Sequence, residues 1–309
     1  MTKYHGRKIK KSRDVKYLLE TGTLSDMWAA KQKTKALLEY HWNYYSELAR
    51  QRSLIQDEIK SALIQKSIPY EFKNWQRALK YKYGLHPLST IGSLSHIGGR
   101  FNTGINLNPE APSFPGLYLA KNKDTALQEH LGQEAAKNTS KLNARELALT
   151  NPASEVIVSM SGKLDTIFDL RNVSNLTPFL KLIKNFSLSK ELIAMANKLG
   201  EQEPDTIKTK TTLLNNLLDH HWRVMPSRYD VPSNSQIFGH LVYLAGIEGI
   251  LYPSKFTNAP CLIIYPRNFS TTESFISIDD DVPHPKVPRK IDATNWRLTE
   301  MNVKEIIGF

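Results

Sequence analysis

The sequence predicts an α+β fold, with helices before a mixed sheet core and further helices inserted into that core. From Val15 to Ile64, apolar residues recur at helical spacing and no proline interrupts them. Beyond residue 90, short β-branched and apolar runs bounded by turn formers indicate strands. Between residues 176 and 225, the apolar spacing becomes helical again. These three patterns together predict the architecture.

Length and composition limit the class of protein. With 309 residues, 40% of them hydrophobic, the chain can bury a substantial core. The single cysteine, Cys261, excludes an internal disulfide, and its apolar neighbours predict a buried structural thiol. A reducing compartment fits best, so we expect a cytoplasmic protein. No segment approaches the roughly 18 apolar residues of a membrane span, so no membrane partner is expected.

The charge predicts a polyanionic partner. The net charge is +11 and the pI is about 9.5. Nucleic acid, an acidic protein and a phosphorylated small molecule all satisfy this charge, which does not choose among them. Residues 1–13 are basic and polar, and they form either a solvated tail or a contact for a phosphate backbone.

The predicted core elements follow one another with clear turn signals. A loop-rich entry is expected from about residue 72 to Gly92, and a surface loop at residues 106–116. Strands are expected in four runs, of which the second and third form a hairpin around the turn at residues 161–163. These runs are residues 117–120, 155–160, 166–170 and 261–265. A well-capped helix is expected to run from about Pro232 to Leu244.

A candidate ligand pocket is formed by residues 98–129. The glycines before Arg100 let the backbone approach a bulky ligand, and the guanidinium of Arg100 is a planar fork suited to phosphate. Tyr118 lies on the predicted strand that follows. Asp124 or Thr125 is expected to cap a helix that brings Glu129 into the same neighbourhood.

No metal site is expected from the remaining polar clusters. His220 and His221 are adjacent and therefore point to different sides of a helix. The run Asp279–Asp281 is interpreted as a solvated turn, because consecutive side chains of extended backbone alternate in direction. His240 lies among apolar neighbours and is interpreted as a histidine of the core.

Three sequence blocks, in order, resemble the RES domain, a family named for an Arg, a Glu and a Ser. The first block is Gly98-Gly99-Arg100-Phe101-Asn102. The second joins Leu117-Tyr118-Leu119-Ala120 to Thr125-Ala126-Leu127-Gln128-Glu129. The third joins Ser235-Gln236 to the run from Gly246 to Ser254. The resemblance covers roughly residues 90–270, and residues 171–230 match poorly.

The resemblance implies a fold and an activity. RES proteins are similar in fold to ADP-ribosyltransferase toxins, and known members consume NAD as toxins paired with an Xre-type helix-turn-helix antitoxin. Carried over, this implies an NAD glycohydrolase or NAD phosphorylase of a toxin–antitoxin system. NAD is then a substrate, inorganic phosphate is a possible co-substrate, and no cofactor or metal is required. Nucleic acid would be contacted only indirectly, through an antitoxin.

The same resemblance assigns residues and domain limits. The implied catalytic residues are Glu129, Arg100, Tyr118 and Ser254. The implied substrate-binding residues are Gly99, Asn102, Gln236 and Lys255. The expected division is a helical region with its basic tail at 1–85, a RES-like catalytic domain at 86–271 with a helical insertion at about 171–230, and a C-terminal extension at 272–309.

Two points stay open at this stage. Compact RES members have a further arginine on an early strand, and Arg77 is a possible equivalent, but its setting reads as helical and it is left unassigned. Two other functions are retained as well. One is mono-ADP-ribosyl transfer to a macromolecule, and the other is a non-enzymatic nucleic-acid-binding protein in which the three blocks are structural.

Overall fold

In the computed structural model of this protein, the residues described are 24–131, 155–202, 204–282 and 284–308. They confirm the α+β prediction. Helices α1 (Leu24–Leu54) and α2 (Gln56–Ile64) form the N-terminal region. The basic tail predicted at residues 1–13 lies outside the described residues. No described helix combines the length and the apolar character needed to cross a membrane.

A mixed sheet of seven strands forms the centre, and a two-stranded hairpin stands beside it. The strands are β1 (Ser67–Lys80), β2 (Gly98–Gly99), β3 (Asn102–Thr103), β4 (Leu117–Ala120), β5 (Glu155–Asp169), β6 (Gly249–Pro253), β7 (Pro260–Ile264), β8 (Phe275–Ile278) and β9 (Lys290–Ile291). The sheet order is β1-β4-β7-β6-β5-β8-β9, and β2 pairs with β3 to form the hairpin. Because β1 also pairs with β5, the sheet closes on itself. Only β5 and β6 are parallel among the described pairs.

Strand β1 corrects the predicted loop-rich entry. It pairs antiparallel with β5 from Ser67 to Lys80, although the predicted boundary at residue 85 assigned it to the helical region. The pairing shifts between Phe72 and Trp75, and Asn74 within this bulge has a φ of 55°. A bulge breaks the alternation by which a strand is recognised in a sequence. This is why the segment did not read as a strand.

Strand β5 corrects the predicted hairpin at residues 155–170. The two predicted strands are one continuous strand, and Gly162 lies inside it, paired with Ile276 of β8. A side chain at this position would overlap the carbonyl of Phe275 and lie 2.8 Å from the Phe72 ring. The glycine therefore allows close packing inside the sheet and does not form a turn.

The predicted helical insertion is confirmed and packs against one face of the sheet. The remaining helices are α3 (Lys123–Leu131), α4 (Thr177–Ile183), α5 (Lys190–Leu199), α6 (Lys210–Leu217), α7 (Val224–Tyr229), α8 (Asn234–Leu244) and α9 (Val303–Ile307). Buried side chains of α2, α4, α6 and α8 share an apolar cluster with Phe168 and Ile250 of the sheet. A second cluster, around Trp75 and Met160, is built mainly from strand residues.

Local capping explains where helices α8 and α3 begin. The predicted cap of α8 is confirmed, because Ser233 and Gln236 form a reciprocal capping box. The predicted cap of α3 by Asp124 or Thr125 is wrong. There the Asn122 side chain accepts a hydrogen bond of 2.9 Å from the backbone N–H of Thr125, so Asn122 is the capping residue.

Candidate active site

A cleft of about 460 Å³ lies between β1, β4, the β2–β3 hairpin and the turn that precedes α7. This volume lies within the range of small-molecule sites, about 300–1,000 Å³. Arg100, Tyr118, Glu129 and Gly99 all line it, so the structure brings together these four residues predicted from the sequence. Five lining residues are arginine or lysine, and Glu129 is the one carboxylate among the described residues of the lining. The cleft is therefore suited to an anion.

The hairpin that carries Arg100 is held by a side-chain network. The Tyr118 hydroxyl donates to Asn102 Oδ1 at 2.8 Å and accepts from the backbone N–H of Phe101 at 3.0 Å. The same Asn102 oxygen accepts from the backbone N–H of Gly99 at 3.0 Å. Burial raises the pKa of Tyr118, which therefore stays protonated and keeps donating. Its ring lines the cleft while its hydroxyl fixes the hairpin.

Gln236 clamps the same hairpin from helix α8. Its side-chain nitrogen donates to the carbonyls of Ile97, Gly99 and Asn102 at 2.8–3.1 Å. The side-chain nitrogen of Asn102 in turn donates to the carbonyls of Ser93 and Phe114. The described hydrogen bonds of both amides thus go to the protein, and substrate contact by Asn102 or Gln236 stays a prediction. In the structure, both side chains hold the hairpin backbone and so position Arg100.

Arg100 lines the cleft and has one guanidinium nitrogen hydrogen-bonded within the part of the chain that the structure describes. The side chain is 7% exposed, and its Nη1 donates to the carbonyl of Asp219 at 2.7 Å. No described carboxylate forms a salt bridge with it. Lys255 is half-buried nearby, and burial followed by repulsion from Arg100 lowers its pKa. The structure does not place Lys255 in the cleft lining, so its predicted substrate contact stays a prediction.

Glu129 is oriented by Ser254, which lies 125 residues away in the sequence. The Ser254 hydroxyl donates to Glu129 Oε1 at 2.6 Å. The same hydroxyl oxygen accepts from the backbone N–H groups of Phe256 and Thr257 at 3.1 and 3.3 Å. Because these two donors occupy the lone-pair side, the hydroxyl hydrogen points to the carboxylate. Ser254 is buried and is therefore a positioning residue for Glu129.

Gly99 is required by the close approach of Tyr118. A Cβ at this position would overlap the Tyr118 hydroxyl and lie 2.7 Å from Asn102 Oδ1. We expect Gly99→Ala to lower the free energy of unfolding by about 1–3 kcal/mol, because the hydrogen-bonded network must shift. Chemical denaturation measures this loss. The control is Ile105→Ala, because Ile105 is exposed and lies just beyond the hairpin. It should change the free energy of unfolding by less than about 0.5 kcal/mol. An equal effect of both variants would contradict the assigned role of Gly99.

Arg77 is a site residue that sequence reasoning left unassigned. It lies on β1, where Trp75, Arg77 and Leu79 are buried at alternate positions, so its setting is a strand and not a helix. The side chain is 9% exposed and lines the cleft. Its Nη2 donates to the carbonyl of Ser89 at 2.7 Å, whereas its Nη1 has no hydrogen-bond partner among the described residues. Burial lowers the pKa of Arg77 to about 10.

The turn before α7, residues 218–223, was also missed and closes one side of the cleft. Trp222, Arg223 and His220 line the cleft from this turn. Repulsion from Arg100 adds to burial in lowering the pKa of Arg223, and the negative charge of Glu129 opposes that shift. The sequence signal was a cluster of aromatic and cationic residues within the helical insertion, where only the histidine pair had been considered.

The remaining candidate groups behave as structural residues. Cys261 is a free, buried thiol, as predicted, and burial raises its pKa. His240 is half-buried against the Phe114 ring, and burial lowers its pKa to about 4. His130, at the cleft, lies 2.7 Å from Glu155. Within the described residues, no group of three histidine, cysteine or acidic side chains is arranged to hold a metal ion.

Comparison with known proteins identifies the family. The RES domain model matches residues 74–286, which is more than half of the chain. The chain belongs to the RES domain family. The RES match begins before Arg77 and includes the whole cleft and the helical insertion. It therefore starts earlier than the boundary at residue 86 predicted from the three sequence blocks.

Two further comparisons add to this. The search of curated proteins finds no match to the chain. A solved structure similar to this RES protein is the crystal structure of the M. tuberculosis MbcT–MbcA toxin–antitoxin complex. The two share 14% sequence identity, with a TM-score of 0.39 over 78% of this chain and 94% of that chain. The family assignment rests on the domain match alone.

Proposed function

We propose that this RES protein cleaves the nicotinamide–ribose bond of NAD by hydrolysis or phosphorolysis. The observation that carries the proposal is the pairing of two buried arginines, Arg77 and Arg100, with a single oriented carboxylate in one cleft. A buried guanidinium with a free N–H group is costly unless an anion completes its hydrogen bonds. The pyrophosphate of a dinucleotide supplies such an anion, and Glu129 then faces the rest of the substrate.

Cleavage of the nicotinamide–ribose bond requires few catalytic groups from the protein. The C–N bond between nicotinamide and ribose breaks with its electron pair leaving on a neutral nicotinamide, so no general acid is needed. Positive charge accumulates on the ribose as an oxocarbenium ion. One carboxylate held near that carbon stabilises the charge, unlike ordinary glycoside hydrolysis with its two carboxylates. A water or phosphate oxygen then bonds to the ribose carbon, and a water molecule that attacks releases its proton to solvent.

The scheme gives a part to the carboxylate, its hydrogen-bonded serine, the two arginines and the tyrosine. Glu129 stabilises the cationic ribose, and Ser254 holds the carboxylate in one orientation through the 2.6 Å hydrogen bond. Arg77 and Arg100 bind phosphate oxygens through their unused N–H groups. The ring of Tyr118 supplies an apolar surface for nicotinamide or ribose, because its hydroxyl is already committed to Asn102 and Phe101.

We further propose that the chain is the toxin of a toxin–antitoxin pair, neutralised by an Xre-type helix-turn-helix antitoxin. Membership in the RES family supports this. Induced expression in a bacterial host should stop growth and deplete NAD, whereas the Glu129→Gln variant should do neither. Growth arrest by both forms, with NAD unchanged, would argue against an NAD-consuming toxin.

The direct test is product analysis with purified full-length protein and NAD, with and without inorganic phosphate. We expect free nicotinamide together with ADP-ribose for hydrolysis, or with ADP-ribose-1″-phosphate for phosphorolysis. Label transferred to protein would instead indicate ADP-ribosyl transfer. An absence of turnover combined with salt-dependent DNA binding would favour a nucleic-acid-binding protein and overturn the proposal.

A further inference from the structure

The turn at residues 218–223, which we call the insertion turn, carries an arginine that forms no salt bridge with a described residue. Arg223 lines the cleft, and its guanidinium carbon lies 4.7 Å from the centre of the Trp222 ring. Stacking on the ring holds the guanidinium in place without using its N–H donors. No hydrogen bond or salt bridge within the described ranges takes up those donors.

The insertion turn is fixed against the cleft by contacts with residues far away in the sequence. Arg100 donates to the carbonyl of Asp219 at 2.7 Å, across 119 residues of sequence. Trp222 is 5% exposed, and the His220 ring lies 6.1 Å from the ring of Phe256. The Asp219 carboxylate accepts from the backbone N–H of His221 at 3.1 Å, which stabilises the turn itself. Arg223 is therefore presented to the cleft by a defined backbone.

Arg223 adds a solvent-exposed positive charge to a cleft that already contains Arg77 and Arg100. Glu129 is the one carboxylate among the described residues that line the cleft with the three arginines, and the charges of Arg100 and Arg223 repel each other. Glu129 cannot neutralise them all. A ligand carrying two or more phosphate charges compensates three arginines, whereas a neutral or singly charged ligand does not.

We propose that the insertion turn is a phosphate-recognition element, in which Arg223 binds a phosphate group of the ligand in the cleft. The inference rests on the proposed function for the identity of the substrate. It goes further by assigning a substrate-binding residue to the helical insertion, outside the three sequence blocks that resemble the RES domain. The phosphate has two chemical sources, the pyrophosphate of the dinucleotide and inorganic phosphate as the attacking co-substrate.

The test compares Arg223→Gln with Arg228→Gln in the full-length protein. Arg228 is exposed on α7, the helix that follows the insertion turn, and does not line the cleft, so Arg228→Gln removes the same charge five residues away. If Arg223 binds the pyrophosphate, Arg223→Gln should raise the KM for NAD about tenfold, with or without inorganic phosphate, and leave kcat within about threefold. If Arg223 binds inorganic phosphate, only the KM for phosphate should rise. Arg228→Gln should change neither value.

Calorimetric titration with ADP-ribose and with inorganic phosphate separates this inference from the proposed function. Loss of affinity for either probe in Arg223→Gln, retained in Arg228→Gln, supports the phosphate site even if the protein turns over no NAD. Turnover of NAD by the parent with unchanged KM values and affinities in Arg223→Gln overturns the inference and leaves the proposed function intact. If the parent binds neither probe and turns over no NAD, both proposals fail.

Discussion

Replacing Glu129 with glutamine should lower kcat for NAD cleavage on the order of 10³-fold while leaving the fold and the substrate affinity nearly unchanged. Glutamine keeps the size of the side chain, and its amide oxygen can still accept the hydrogen bond from Ser254. What is lost is the negative charge that stabilises the oxocarbenium ion. Because this charge matters most in the transition state, the loss should appear in kcat and not in KM.

Release of nicotinamide, followed under saturating NAD, measures this effect. Glu273→Gln is a matched control, since Glu273 is exposed and lies outside the cleft. It should retain parental turnover. Thermal unfolding of both variants checks that the loss is not a loss of structure. Full activity in Glu129→Gln would show that another group stabilises the cation, and the assigned role of the carboxylate would then be wrong.

The parts of the site that could be predicted are those held by short-range sequence patterns. Gly99 and Arg100 stand in a glycine-rich turn, and Glu129 lies on a helix that follows a recognisable apolar strand. Turn chemistry and helix periodicity are local, so they are visible in one sequence. The convergence of Glu129 with Ser254 was not visible in that way, and it entered through the family resemblance.

The parts that could not be predicted depend on long-range contacts. Arg77 was missed because the bulge at Asn74 interrupts the alternation of β1, so the buried position of the arginine read as one face of a helix. Gly162 was interpreted as part of a turn, because a glycine in a single sequence usually indicates one. In the structure it leaves room for the Phe72 ring, which comes from a strand far away in the sequence. Arg223 was missed because the aromatic and cationic residues around it do not by themselves indicate a cleft, and its place is set by the long-range hydrogen bond between Arg100 and Asp219.

The second large effect is expected when Arg77 is replaced. The stability of the free protein should not fall, whereas the activity on NAD should fall. Burial lowers the pKa of this guanidinium from its ordinary value to about 10. The group is charged in both the folded and the unfolded state below pH 10, so the fold carries a penalty of roughly 3 kcal/mol throughout that range. The penalty disappears only as the pH rises from about 10 towards the ordinary pKa of arginine. The hydrogen bond to Ser89 offsets about 1.5–3 kcal/mol of it.

Arg77→Met should therefore leave the free energy of unfolding unchanged or raise it by about 1 kcal/mol, since methionine fills the volume and removes the buried charge. The same variant should lose about 10- to 100-fold in kcat/KM for NAD, because one charge-assisted contact to phosphate is removed.

Arg171→Met is the contrasting control. Arg171 forms a 2.8 Å ion pair with Asp169, so its removal leaves a buried carboxylate unpaired and should destabilise the protein without affecting the cleft. Denaturation and steady-state kinetics on both variants measure the two effects. A stability loss above about 1 kcal/mol in Arg77→Met, with normal NAD kinetics, would make Arg77 a structural residue and remove the observation from which an anionic ligand is inferred.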